Sequence, residues 1–385
     1  MEFIPDKPSR ITDEKRVPVL SFFTGGGFFD MGFELAGFKV VWTNEYNPVF
    51  KDMYEYGMTA WRRSFDPGSA VAKITEKRSI EDMSAVEILK HAFPCGKPPI
   101  FGAIGGPPCP DFSSGGKNLG SGGKYGILSK IYADLIYDIQ PDFFVFENVP
   151  GLFRTQKHRA FLEELECKLE ESYTVDLKIL NALEMGVPQD RERLIFLGIV
   201  DILAEVLLGR RPKEGERGWF PFPECPKYKD AKTRFNWPTI VLPGKKPGKP
   251  SGIPEELMVH HVLDGCNPPN RQPNGLEGFQ PYSAKFKTVC EGDVKRKSFK
   301  RLHRYRYSST ACYGHNEVHL HPWENRRLTV RETMRIQGIP DSYILPPEKS
   351  LTAKYALIGN AVPVPLAYHV AVSLYDFLDN GKDVF

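Results

Sequence analysis

The sequence predicts an α/β protein: a parallel sheet covered on both faces and ended by an antiparallel hairpin, with a smaller irregular domain set into it. Three observations predict this. Over the first 200 residues, strand-like apolar runs alternate with helical patterns. Near residue 200, two apolar runs flank a short loop. From about Asp201 periodicity gives way to Pro- and Gly-rich segments, and helical patterns return after Arg326.

Taken in order, "VPVLSFF", "KVVWTN", "IFGAIGG" and "DFFVFEN" read as strands, being apolar runs too short for helices. "FDMGFELAGF", "SAVEILKHAF", "LSKIYADLIYDI" and "HRAFLEELECKLEES" read as the helices between them. "TVDLKIL" and "RLIFLGIV" form the terminal hairpin. "LPGKKPGKPSGIPEE" and "CNPPNRQPNGLEG" carry little periodicity and belong to the irregular domain. "RLTVRETMRIQGI" starts with Thr329 as a helix N-cap and Glu332 three residues on, a capping box, and is assigned a structural role. "PLAYHVAVSLYDFL" is the last helix. The expected division is a discontinuous sheet domain, 15–200 with 325–385, an inserted domain, 201–324, and a tail, 1–14.

Composition narrows the class. Across 385 residues, 41% apolar and 26% charged content is that of a soluble globular protein, and the length suits two domains. No apolar run approaches the roughly 20 residues that span a bilayer. The opening "MEFIPDKPSR" lacks the apolar stretch of a signal peptide. Seven cysteines without paired spacing favour free thiols and a reducing compartment, cytoplasm or nucleus. Net charge is only +3, yet residues 201–324 hold 21 Lys and Arg against 14 Asp and Glu. Lys285 to Arg306 contains nine basic and two acidic residues, which points to a polyanionic partner.

Gly25, Gly26 and Gly27 follow a strand and precede a helix, so backbone amides face a ligand. The pattern is G-x-G-x-x-D, and Phe28, Phe29 and Asp30 stand where a pyrophosphate needs small, uncharged residues. Glu45, 20 residues after Gly25, is placed to accept ribose hydroxyls. A ribose without a phosphate fits S-adenosylmethionine. Ligands of open α/β sheets sit outside the carboxyl ends of the strands. Cys109 lies just past one strand, Glu147 and Asn148 past another, and Gln189, Arg191 and Arg193 in the hairpin that returns to the same edge. A lone cysteine is ordinarily a small apolar residue, and arginines ordinarily form surface pairs. Their convergence with a carboxylate at one edge favours a reactive site.

With these residues in place, the chain resembles the DNA (cytosine-5)-methyltransferases. The segments "FFTGGGFFDMGFELAGF", "NEYN", "GGPPCPDFS", "FENVPGL", "GVPQDRERLIFLG", "RRLTVRETMRIQGIPDSY" and "IGNAVPVPLA" occur in the family's order. The resemblance implies a Rossmann-like S-adenosylmethionine-dependent methyltransferase sheet and a target-recognition domain at 201–324. It implies Cys109 as nucleophile toward cytosine C6, Glu147 toward N3 and the amino group, Arg193 toward O2, and Arg191 as a stiffener of the site. Cofactor contacts are implied for Phe23, Thr24, Gly25, Gly27, Glu45, Tyr46, Ile80, Asp82, Pro108, Leu128, Asn360 and Val362. DNA contacts are expected at Ser113 in the Gly-rich loop after Cys109, and at Lys295, Arg296, Lys297 and Arg301. The implied partner is double-stranded DNA, acted on by a monomer that flips its target base; a cognate restriction endonuclease is a further expected partner.

The chain departs from the family at Pro110, where Gln is usual, at Phe28, where Gly is usual, and at Ser21, where Asp is usual. Asp82 is taken to replace a cofactor-binding Asp usual near Ser79. His315, His319, His321 and Cys312 match no standard zinc spacing, so no metal is expected. The rival readings are tRNA cytosine-5 methylation by the same site, a non-catalytic DNA-binding relative, and a nicotinamide-dependent oxidoreductase. The size of the inserted domain opposes the first, the presence of every site residue the second, and the glycine turn the third.

Overall fold

The structure, a computed structural model, describes residues 5, 7, 15–108, 124–213, 215–242, 245–265, 267–296, 298–310, 313 and 318–379. Its elements run β1 (Val17–Phe22), α1 (Phe28–Ala36), β2 (Phe38–Thr43), α2 (Pro48–Phe65), α3 (Ala85–Ala92), β3 (Gly102–Gly105), α4 (Lys124–Ile139) and β4 (Phe143–Asn148). There follow α5 (Gly151–Arg154), α6 (Gln156–Leu169), β5 (Tyr173–Asn181), β6 (Glu192–Val200) and α7 (Asp201–Leu208). The irregular region holds α8 (Ala231–Arg234), α9 (Val259–Leu263), α10 (Lys285–Thr288), β7 (Lys300–Arg301) and β8 (His319–Leu320). The chain closes with α11 (Val330–Ile336), α12 (Leu351–Asn360) and α13 (Val364–Asp379).

Six strands form one sheet in the order β2-β1-β3-β4-β6-β5. Neighbours are parallel except β6, which is antiparallel to both β4 and β5. The central strands are buried along their whole length, as parallel strands covered on two faces must be. β1 lies between β2 and β3, so the chain moves to opposite sides of β1 on leaving it and on returning. That is the switch point at which an α/β sheet opens a ligand crevice, and the glycine turn stands there.

One apolar cluster joins a face of the sheet to α13, with Phe33 and Phe38 meeting Leu366, Val370 and Leu374. A second covers the other face through α4 and α6. A third packs α1 and α2 against α11 and α12. Residues on both sides of the irregular region therefore share cores. Trp219 to Ala231, within the inserted region, also pack on the first cluster, and the Trp219 indole N–H donates to the Val175 carbonyl at 2.9 Å.

All six strands fall where the apolar runs place them. The 18-residue helix α2 has no counterpart among the helices the sequence pattern predicts, although Asn47 caps it, accepting from the Val49 and Phe50 amides, and Pro48 occupies its first turn. Residues 351–379 are apolar enough by composition to match a membrane span, although the sequence expectation was of no such stretch. They form two helices broken at Ala361–Pro363, and 78% of the most apolar window is buried against the rest of the fold.

Candidate active site

The glycine turn is built by backbone geometry. Phe23, Gly25 and Gly27 have φ of 53°, 57° and 78°. Phe23 adopts this left-handed conformation at a cost of about 1–2 kcal/mol, which the surrounding contacts offset. Its ring meets Tyr132 edge-on at 5.8 Å. The Thr24 amide donates to the Asn44 carbonyl at 3.0 Å and the Gly27 amide to the Thr24 carbonyl at 2.9 Å. Glu45 reaches back from the end of β2: its two carboxylate oxygens accept from the Gly25 amide at 2.8 Å and the Asn47 amide at 2.7 Å. Burial pushes this carboxyl above its ordinary range, against the two amides. Tyr46 beside it is 69% exposed, an aromatic face open at the mouth of the crevice.

Ile80 and Asp82 share the sheet edge with Glu45, because the Asn44 side-chain amide donates to the carbonyls of Glu76 and Arg78. Ile80 is buried and Asp82 exposed. From the far end of the chain, Leu357 lies against Gly26, which brings α12 and the following Asn360 and Val362 to the turn. Asn360 is exposed and Val362 buried. Leu128 on α4 packs into the apolar cluster that includes Phe23. Tyr343 donates its hydroxyl to the Gly26 carbonyl at 2.8 Å. No sequence signal singles out Tyr343, because its partner lies more than 300 residues away.

The reactive edge is built from β3, β4 and the hairpin. Gly105 pairs with Phe146, so Gly106 and Glu147 follow side by side. Glu147 presses one carboxylate oxygen on Gly106: a Cβ at that glycine would stand 2.7 Å from Oε2. Arg193 donates from Nε to the other oxygen at 2.6 Å and from an Nη to the Glu192 carbonyl at 2.7 Å. Glu147 is 9% exposed and Arg193 8%. Burial raises the Glu147 carboxyl above its ordinary range, and the Arg193 and Arg191 charges pull it only part of the way back. Burial thus favours the protonated form of this acid more than an exposed carboxyl would.

Arg191 is buried and donates to the Gly359 carbonyl at 2.7 Å, tying the hairpin to the end of α12. Asn181 holds the hairpin loop shut, accepting from the Arg191 and Leu183 amides and donating to Asp190 at 2.8 Å. Gln189 is buried and bridges to Ser308. The Asp190 amide donates to the Ser308 carbonyl at 2.9 Å, and Thr310 donates to the Asp190 carbonyl at 2.6 Å. A strand-like seam thus joins the arginine loop to the end of the inserted region.

Cys109, Ser113 and Lys297 lie outside the described residues, as do His315 and Cys312. Pro107 and Pro108 are described and follow Gly106 directly. Lys295 and Arg296 are exposed, and Arg296 pairs with Asp293 at 2.9 Å. Arg301 corrects its sequence assignment. It is 4% exposed and donates to the carbonyls of Val289, His321, Glu324 and Phe286. Its charge holds the inserted region together and offers nothing to a phosphate. Among the described residues no group of three or more His, Cys, Asp or Glu is placed to hold a metal.

The sequence profile described as "C-5 cytosine-specific DNA methylase" matches residues 17–376. The chain is 40% identical over 376 residues to the Type II methyltransferase M.NmeDI of Neisseria meningitidis serogroup C, covering 96% of this chain and 86% of that one. It is 29% identical over 373 residues to M.FnuDI of Fusobacterium nucleatum, covering 95% and 96%. Among solved structures it resembles the Dnmt2 methyltransferase of S. pombe, with a TM-score of 0.56 at 15% identity over 94% of this chain and 99% of that one. It also resembles the Entamoeba histolytica methyltransferase EhMeth, with a TM-score of 0.56 at 15% identity over 96% and 99%.

Proposed function

Because the chain belongs to the C-5 cytosine-specific DNA methylase family, and so methylates C5 of cytosine within a specific DNA sequence, we propose that Cys109, Glu147, Arg191 and Arg193 carry the reaction. The methyl donor is S-adenosylmethionine, which supplies a methyl group activated on a sulfonium. It would be held by Phe23, Thr24, Gly25, Gly27, Glu45, Tyr46, Ile80, Asp82, Pro108, Leu128, Asn360 and Val362. The observation that supports this reading is the Glu147 carboxylate, clamped by Arg193 and seated on Gly106, three residues before Cys109.

Cytosine C5 is a poor nucleophile. The Cys109 thiolate adds to C6 of a base flipped from the duplex, forming a C–S bond and placing an electron pair on C5 through the enamine. Charge gathers on N3 and O2. Glu147, whose carboxyl is raised by burial, hydrogen-bonds or protonates N3, and Arg193 faces O2. Arg191, fixed to Gly359, keeps the arginine loop rigid. After C5 takes the methyl group, its proton passes to a base, the electron pair restores the double bond, and the thiolate leaves. Lys295, Arg296 and Lys297 supply phosphate contacts, and Ser113 a contact beside the flipped base. The protein acts as a monomer, paired with a restriction endonuclease of the same target.

The test is methyl transfer from labelled S-adenosylmethionine into duplex DNA and, separately, into tRNA, by wild type and C109A, with 5-fluorocytosine duplexes as a covalent trap. Label is expected in DNA only, with a trapped adduct for wild type and none for C109A. Undiminished methylation by C109A, or label entering tRNA alone, overturns the proposal.

A further inference from the structure

Asp30 is the third residue of α1 and sits fully buried beneath the glycine turn. Its carboxylate accepts from the Ser21 hydroxyl at 2.6 Å. Ser21 in turn lies 3.0 Å from the Thr24 hydroxyl, and Thr24 belongs to the turn. A hydroxyl relay therefore runs from a buried acid to the cofactor loop. The charged and titratable groups facing Asp30 are Glu34 on its own helix, Tyr54 and Arg62 on α2, and Tyr343 beyond α11. Arg62 is engaged with Glu34 through two hydrogen bonds, one from Nε at 3.1 Å. These two charges largely cancel. Ionised Asp30 is then the net charge of the cluster, shielded from water and felt at the turn.

We propose that ionised Asp30 makes the glycine turn select a cationic methyl donor over its neutral thioether product. The inference rests on the turn being the S-adenosylmethionine site. When the S–CH3 bond breaks, its electron pair stays on sulfur, and the ligand's charge falls by one as sulfonium becomes thioether. The attraction to Asp30 disappears in the same step, which favours exchange of spent cofactor for fresh. The acid that makes the helix start unsuited to a phosphate thus acquires a positive role. Burial lifts the Asp30 carboxyl to about 7, so the selection strengthens above neutrality and fades below it.

The experiment is calorimetric binding of S-adenosylmethionine and S-adenosylhomocysteine to wild type and D30N, at about pH 6 and about pH 8. Asn retains an acceptor for Ser21 without the charge. The ligands' own ammonium groups titrate alike against both proteins and cancel in the comparison. At the higher pH the donor-to-product affinity ratio of wild type should exceed that of D30N by about fivefold, and the excess should shrink at the lower pH. S21A removes a hydrogen bond that favours the ionised acid, and should move the transition upward in pH; this variant carries the test if D30N does not fold. Equal ratios in wild type and D30N, or an unmoved transition in S21A, overturn the inference and leave the cofactor site standing. Failure of wild type to bind either ligand overturns the cofactor reading itself.

Discussion

Glu147 and Gly106 show how closely one side chain can depend on the absence of another. A methyl at position 106 would meet Glu147 Oε2 at 2.7 Å, and the carboxylate cannot retreat without leaving Arg193. G106A should therefore lower kcat by about a hundredfold while leaving S-adenosylmethionine affinity unchanged, as single-turnover rates and calorimetry would show. Asp30 affects stability as well as binding. Its carboxyl is raised from 3.8 to about 7 in the folded chain, so the folded state holds a proton that the unfolded state has released between those values. Stability from this group is highest below the unfolded value and falls as pH rises, levelling above about 7 at a loss of about 4 kcal/mol. D30N should gain on wild type over that window in urea unfolding, with no difference at about pH 4. Glu147 and Arg193 fall within the ends of β4 and β6, and Arg191 just before β6, positions that the apolar runs and the hairpin loop made visible in the sequence. The Ser21–Asp30 relay and the seating of Glu147 on Gly106 were not, because both arise from close approach between elements. Arg301 was misread because a basic run gives charge but not direction: this guanidinium turns inward onto four carbonyls.

That run of basic residues is best tested as an element. Neutralising Lys295 and Arg296 should lower DNA affinity and reduce the slope of log affinity against log salt by about one for each phosphate no longer engaged. R301A should leave the slope alone and destabilise the fold by about 3 kcal/mol, through carbonyls left without a donor; equilibrium unfolding separates the two effects. The strands were readable because each is a short apolar run, too short for a helix. Helix α2 was not, although its cap was in view. Its buried stripe of Met53, Tyr54, Gly57, Met58 and Trp61 includes a glycine where an apolar residue would have marked the period. That glycine makes room for a ring: a Cβ on Gly57 would stand 2.1 Å from Tyr343 Cζ. Tyr343 then spans α2 and the glycine turn, its hydroxyl donating to the Gly26 carbonyl. Y343F should weaken S-adenosylmethionine binding by about fivefold and spare DNA binding, as parallel titrations would reveal.

Across the whole molecule, sequence distance and spatial distance part company. Leu357 touches Gly26, Arg191 bonds to Gly359, and α13 packs along α1. The motif order showed that the last segment returns to the sheet, but not which side chains it meets, since those depend on packing between remote faces. The seam from Pro188–Asp190 to Ser308–Thr310 likewise had no local signal. It ties the arginine loop to the inserted region by backbone hydrogen bonds.

Tyr343 pins the glycine turn, yet it is added to the chain more than 300 residues after Gly26. A nascent or prematurely ended chain can carry Cys109, Glu147, Arg191 and Arg193 and still lack this pin. A chain that ends before Tyr343 would therefore present the glycine turn without that hydrogen bond.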